Sequence, residues 1–569
     1  MDVHLIRPGV VALAAALALA LAAPAPALGQ DGPGSTGGTA NETAEERLEL
    51  SSEEAIEIAA KDPKAIAEED ARGELQRVAQ AKPPDTWQVG FKDGDDEVVQ
   101  VLVDDPSGTV RESWTGYQVE WQMARGYPGA FGGVLNAPWV WLPLCAIFFI
   151  GLLDFRRLRR VAHLDLLVLL GFGASQFFFH RGDIGVSVPL VYPVLLYLLG
   201  RMLWIGFRGR GEGLRPSIPV LWLGAATVFL LAFRLVVNVA DSGVIDVGYA
   251  GVIGADLLGH GDPIYGDGAF PEENRFGDTY GPSNYLAYFP FELGLPWEGE
   301  WDGLPAAHAA ALAFDLATVA ALFMLGVRLR PGAGGRELGT ILAFAWAAFP
   351  YTAFTLASNS NDSLVAALLA WSLVFLTSPV ARGALLAFAV MVKFAPLALV
   401  PLYAAGKEAF RPVGSWLRPR RAAAAFTAAF ALVCALLLVH PAIEPGLATF
   451  YERTIGSQID RTSPFSVWGQ TDLDWLHLAS ELFALALAAA VAFAPARRTF
   501  AQFAALGAAV MIAVELTADH WFYLYIVWFF PALIAALVTL GLENRDRGSD
   551  PSGGRSVGDR QQHLLDRPG

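Results

Sequence analysis

The chain has 569 residues, of which 54% are apolar and only 17% charged, with a mean hydropathy of +0.41. A soluble globular chain carries about 25% charged residues, so a soluble enzyme is excluded, and the long apolar blocks mark a polytopic membrane protein. The formal charge of −16 is uneven: residues 31–138 hold 22 acids against 9 bases, a net −13, which leaves −3 for the rest and no basic face for nucleic acid.

In chain order, residues 1–27 read as a signal peptide or anchor. Val10 to Ala23 is an unbroken apolar run, and Ala25-Pro26-Ala27 has the small-residue cleavage pattern. Residues 28–45 are a Gly/Ser/Thr linker of disordered composition. An acidic extracytoplasmic α+β domain is expected over 46–137. Ser51 and Glu54 form a capping box before a helix ending near Lys61, and Pro63 to Gln80 reads as a second helix. The period then changes to two, and strands are expected at Trp87–Phe91, Glu97–Val103 and Thr109–Trp114, divided by polar turns. This helix-then-meander, with its Val103-Asp-Asp-Pro-Ser-Gly-Thr-Val110 hairpin, resembles a PepSY-type domain. It holds no catalytic cluster and reads as a regulatory or partner-binding module.

From residue 138 the chain is membrane-embedded. Spans of about 20 residues are expected near 138–155, 163–180 and 188–206, which are three accessory helices. Further spans are expected in a core of 219–542, near 219–240, 306–328, 338–357, 362–378, 383–405, 421–440, 478–495, 499–517 and 520–542. The fold class is therefore mostly α, with about 11–13 transmembrane segments and a small α+β ectodomain. The tail 543–569 is polar and reads as disordered and cytoplasmic. Basic residues fall in the loops after Phe155, after Arg208 and after Arg328, and again at Arg411–Arg421 and Arg497-Arg498. By the positive-inside rule these loops are cytoplasmic, and loops 241–305 and 441–477 are outside with the acidic domain. Parity holds only if 383–405 does not cross once. Pro396 breaks a helix, so two half-helices are expected to form a re-entrant hairpin with Lys393 near its tip. A lysine at membrane depth is a functional candidate by default.

Loop 241–305 carries the densest polar pattern. Asp241 and Asp246 lie where a span meets the outer surface, and a half-buried carboxylate there is suited to act as a base. Cys145 and Cys434 lie in apolar runs and form no disulfide framework. No metal-ligand spacing, P-loop or dinucleotide fingerprint occurs, so no metal or cofactor is expected.

The segments Ile245-Asp246-Val-Gly-Tyr249, Gly261-Asp-Pro-Ile-Tyr265 and Tyr280-Gly-Pro-Ser-Asn284-Tyr285 resemble the first outer loop of glycosyltransferase family 87. Ser358-Asn-Ser-Asn361-Asp362 is similar to the family's helix-entry motif. Met391-Val-Lys393-Phe-Ala-Pro396-Leu is similar to its Lys-x-x-Pro-Leu segment. The resemblance covers roughly 219–542, and it departs where the helix-entry Gln is absent and Gly281 replaces a proline. It implies a GT-C fold and transfer of a sugar, mannose above all, from a polyprenyl-phosphate donor to a lipid or glycan acceptor outside the membrane. It also implies that Asp246 is the base, with Asp241 the alternative. One base suffices for inversion. Lys393 and the arginines of the second outer loop, Arg453 and Arg461, are expected at the phosphate. Tyr249, Tyr265, Tyr280, Asn284, Asn361, Gln458 and His520 complete the expected substrate cleft. The rival reading is a transporter or lipid flippase with a partner-binding ectodomain, whose mark is inverted repeats with paired broken helices.

Overall fold

The computed structural model describes residues 48–82, 85–127, 133–271, 274–299, 304–410, 418–457 and 463–548. The expected signal segment and linker lie outside the described residues, as do Gln458, Arg461 and residues 549–569.

The acidic domain packs two helices, α1 (Ser52–Ala59) and α2 (Pro63–Arg72), on one face of a four-stranded antiparallel meander. The strands are β1 (Gln76–Lys82), β2 (Thr86–Asp93), β3 (Asp96–Asp104) and β4 (Thr109–Thr115). The Ser51–Glu54 capping box is present in both directions. The second helix is shorter than its pattern suggested. It stops at Arg72 because Gly73 adopts φ +97°, and Gln76–Lys82, expected as helix, pairs with β2 from Gln76↔Lys92 to Lys82↔Thr86. Period-two alternation buries Trp87, Val89 and Phe91 of β2 and Val99, Val101 and Val103 of β3 against Ala55 and Ala59.

The membrane body begins with α3 (Pro138–Leu152), α4 (Val161–Leu170), α5 (Phe172–Phe179) and α6 (Ile184–Arg208). These helices are built into the body. The Tyr523 hydroxyl lies 2.6 Å from Ser175 Oγ and 3.0 Å from Ser187 Oγ, and the Gln502 amide donates to the Gly206 carbonyl. Next come α7 (Val220–Ala240), α8 (Asp246–His260), α9 (Pro282–Glu292) and α10 (Pro305–Leu329). Residues 241–305, expected as loop, therefore contain two helices. Helix α8 buries an unbroken run from Val247 to Ala255.

Helices α11 (Ala333–Ala348) and α12 (Pro350–Ala357) form one span bent by 59°. Pro350 removes an amide at the break. The Arg234 guanidinium, held by Asp315 at 2.8 Å, donates to the freed carbonyls of Trp346 and Ala347. The chain continues through α13 (Asp362–Val374), α14 (Pro379–Val390), α15 (Val400–Ala405), α16 (Arg418–Leu437), α17 (Asp474–Phe493), α18 (Phe500–Leu516) and α19 (Ile526–Gly548). Helix α19 runs to Gly548, into the segment expected to be a disordered tail.

Among the described residues six helices are long and apolar enough to cross a membrane, or seven with the bent pair, and six further apolar helices span 10–17 residues. The protein is thus a multi-pass, mostly helical membrane protein with a small α+β domain. Three of its basic loops meet: Arg215 donates to the Gly541 carbonyl, Ser217 N to Leu153 O, Gln502 lies against Gly209, and Arg498 donates to the Gly406 carbonyl.

Candidate active site

Residues 379–405 form a hairpin. Helix α14 ends at Val390, residues 391–394 turn, and a 3-10 turn over Ala395–Leu399 leads into α15. At its base the Arg382 guanidinium reaches the carbonyls of Leu376 and Ala404. Lys393 stands at its tip. The break follows from Pro396, with Pro401 close behind it.

Three distant stretches of sequence converge on this tip. Ser283 N donates to Met391 O at 3.0 Å and Gly281 N to Val392 O at 3.4 Å. A Cβ at residue 281 would overlap the Met391 carbonyl oxygen, so glycine is what the close approach permits. The Asn361 amide donates to the Asn284 side-chain oxygen at 2.8 Å, and both residues are fully buried. The Lys393 ammonium donates to Asp362 Oδ1 at 2.6 Å. It also lies over three aromatic rings, at 5.7 Å from Tyr280, 5.4 Å from Tyr525 and 5.2 Å from Trp528. Asn284 Nδ2, Ser283 Oγ and Asn361 Oδ1 are buried there without a hydrogen-bond partner among the described residues. Buried polar atoms are normally paired, so this junction holds unspent hydrogen-bonding capacity.

Helix α8 is tied to the same junction. Ile245 N donates to Ser358 O at 3.1 Å, and Gly248 packs against the Asn359 backbone. Asn359 takes φ +51°, a left-handed conformation that asparagine tolerates, and its amide is held by Ser242 Oγ and the Gly243 carbonyl. Asp246 is the first residue of α8. Its side chain is exposed, and its backbone carbonyl accepts from the Asn274 amide. A carboxylate at a helix N-terminus sits in a favourable field.

The other expected residues have different surroundings. Asp241 caps another element: its Oδ2 accepts from Val134 N at 2.5 Å. Tyr265 is buried and donates to the Tyr280 carbonyl at 3.0 Å, which props the 280–284 segment. Burial first and nearby Asp278 second push its phenol well above the ordinary range. Tyr249 is buried in α8. Arg453 is committed within the protein. It donates to both oxygens of buried Asp278, at 2.5 and 3.1 Å, and to Asp267, and the bond to Asp278 raises its pKa. His520 lies 2.8 Å from Ser463 Oγ and among the rings of Trp121, Phe465 and Phe522.

Asp362 and Trp528 are the site residues that the sequence reading left unassigned. Trp528 Nε1 donates to the same Asp362 Oδ1 at 2.9 Å, and Ser360 Oγ donates to Oδ2 at 2.8 Å. The available signal was the lysine itself, because a cation at membrane depth requires an anion. Among the described residues no group of three or more His, Cys, Asp or Glu side chains is placed to hold a metal ion.

Residues 279–541 match the family model of glycosyltransferase family 87. This segment contains the 280–284, 358–362 and 391–393 stretches. No curated protein matches the chain. Among solved structures, a crystal structure of ArnT from Cupriavidus metallidurans bound to undecaprenyl phosphate is similar at 16% identity and a TM-score of 0.40. The match covers 58% of this chain and 61% of that one, so this chain spans about three fifths of that protein's length.

Proposed function

We propose that this chain, which carries glycosyltransferase family 87 sequence over residues 279–541, is a GT-C-type integral membrane glycosyltransferase. It moves a sugar, most simply mannose, from a polyprenyl phosphate to a lipid or glycan acceptor on the extracytoplasmic face. The observation that carries the reading is the convergence of three separated motifs around Lys393, inside the matched region. The contacts among three basic loops near Gly406, at the base of the hairpin, support the orientation.

In this mechanism the donor's sugar lies near the start of α8 and its phosphate near the hairpin tip. The acceptor hydroxyl attacks the anomeric carbon, its proton passes to Asp246, and the bond from that carbon to the phosphate oxygen breaks. The electron pair leaves with the lipid phosphate, whose growing charge meets the Lys393 ammonium. Attack opposite the leaving group inverts the anomeric centre. Asp241, occupied with Val134 N, anchors the loop that precedes α3. Arg453, occupied with Asp278, holds the outer loops together.

The test is Asp246→Asn in membranes supplied with a polyprenyl-phosphate-linked mannose. Loss of a general base lowers turnover by about 10²–10⁴-fold. Unchanged turnover removes Asp246 from the mechanism, and no transfer by the unaltered protein from any polyprenyl-phosphate sugar removes the reading itself.

A further inference from the structure

We infer that Asp362 is a positioning residue, which together with Trp528 holds the Lys393 ammonium in place for an anionic ligand. The inference rests on the reading above for the identity of that ligand, a lipid-linked phosphate, but its geometry is independent of it.

Asp362 is fully buried, at the first turn of α13, and every contact it makes is specific. Oδ1 receives the Lys393 ammonium at 2.6 Å and the Trp528 indole N–H at 2.9 Å. Oδ2 receives the Ser360 hydroxyl at 2.8 Å. Trp528 and Tyr525 stack at 4.2 Å, and together with Tyr280 they wall the ammonium on its remaining sides. The Lys393 side chain keeps 12% of its surface exposed, while Asp362 keeps none. The carboxylate therefore anchors the cation from behind and leaves Lys393 as the member of the pair that meets solvent. A buried cation with a free four-carbon stem would otherwise sample many rotamers. One carboxylate and three rings, one of them the Trp528 indole, reduce that freedom before any ligand arrives, and such preorganisation makes a charged donor effective against developing negative charge. Glu515 of α18, a buried carboxylate whose charge acts on Asp362, is held by the Trp521 indole at 3.1 Å. The carboxylate that Lys393 bonds is that of Asp362.

The experiment uses the full chain in detergent with four variants: Asp362→Asn, Trp528→Phe, Lys393→Gln, and the Lys393→Gln/Asp362→Asn pair. With polyprenyl-phosphate mannose as donor, Asp362→Asn lowers kcat at least tenfold and changes donor KM less than threefold, and Trp528→Phe lowers kcat by a smaller factor. The double variant is no worse than Lys393→Gln alone, since a positioning residue has nothing to position once the lysine is gone. Equal losses in kcat and KM, or losses that multiply in the double variant, would overturn the proposal. A second measurement needs no turnover. Amine labelling of Lys393, followed by mass spectrometry in protein of unchanged melting temperature, is at least fivefold faster in Asp362→Asn than in the unaltered chain. Equal labelling rates count against positioning even if sugar transfer is observed. Faster labelling without any sugar transfer supports positioning and removes only the lipid-phosphate identity of the ligand.

Discussion

At the scale of single residues, the molecule separates charges buried against a partner from charges exposed at the surface. Arg453 and Asp278 illustrate the first kind. The Asp278 side chain is 1% exposed, and its charge is met by a bidentate guanidinium from 175 residues along the chain and by Gly266 N at 3.1 Å. Breaking one side of such a buried pair costs about 3–5 kcal/mol, because the partner is left uncompensated. Arg453→Ala is therefore expected to lower the melting temperature markedly, and Arg453→Met/Asp278→Leu to recover most of the loss. Thermal unfolding of the purified variants checks this, and equal destabilisation by the single and double variants would contradict it. Asp246 is the second kind, an exposed carboxylate on the first turn of a helix. Sequence spacing could not separate it from Asp241. The structure does, by burial: Asp246 is exposed, whereas Asp241 is half-buried and accepts from Val134 N, more than 100 residues earlier in the chain.

At the scale of elements, the decisive features are breaks in apolar helices. The hairpin over 379–405 was legible from Lys393-Phe-Ala-Pro396 and from the loop charges, since an uninterrupted crossing would strand arginines on the wrong side. The bend at Phe349 was not legible, although Pro350 marks it. Its cost is met by Arg234, a residue of another helix that supplies the missing donors. The Tyr280–Asn284 segment lies directly on the turn of the hairpin, and Gly281 has no room for a side chain. Gly281→Val is expected to displace that segment from Met391 and to cut sugar transfer at least tenfold. The chain should stay folded, because the clash is confined to one outer segment. Transfer assays paired with circular dichroism decide the point, and full activity would show that the close approach is dispensable.

At the scale of the whole molecule, the acidic domain is bolted to the membrane body. Arg125 donates to Gln100 of β3 and to the carbonyls of Gln118 and Val119. Gln118 in turn donates to the His180 carbonyl, and Trp121 packs edge-on against Phe465 at 4.5 Å. The α+β domain thus reaches Phe465 of the 463–470 segment and His520 of the turn after α18 through aromatic contact. Trp121→Ala is expected to raise hydrogen exchange at least fivefold over residues 463–470 while leaving β1–β4 protected. Unchanged exchange in that loop would mean that the domain contributes nothing to its order.

The sequence by itself determined the class of molecule: an acidic α+β module, a polytopic apolar body, a broken segment at Lys393, and the motifs that fall within the matched family region. These are local properties, set by hydropathy, periodicity and proline, and each is read within a window of some 20 residues. Only the tertiary structure decided which charges are paired and which motifs meet. Asp362 finds Lys393 from 31 residues away and Trp528 from 166, and Asn361 finds Asn284 from 77. A buried charge must be met by whichever partner the packing brings within about 3 Å, and that distance is not encoded in any local pattern.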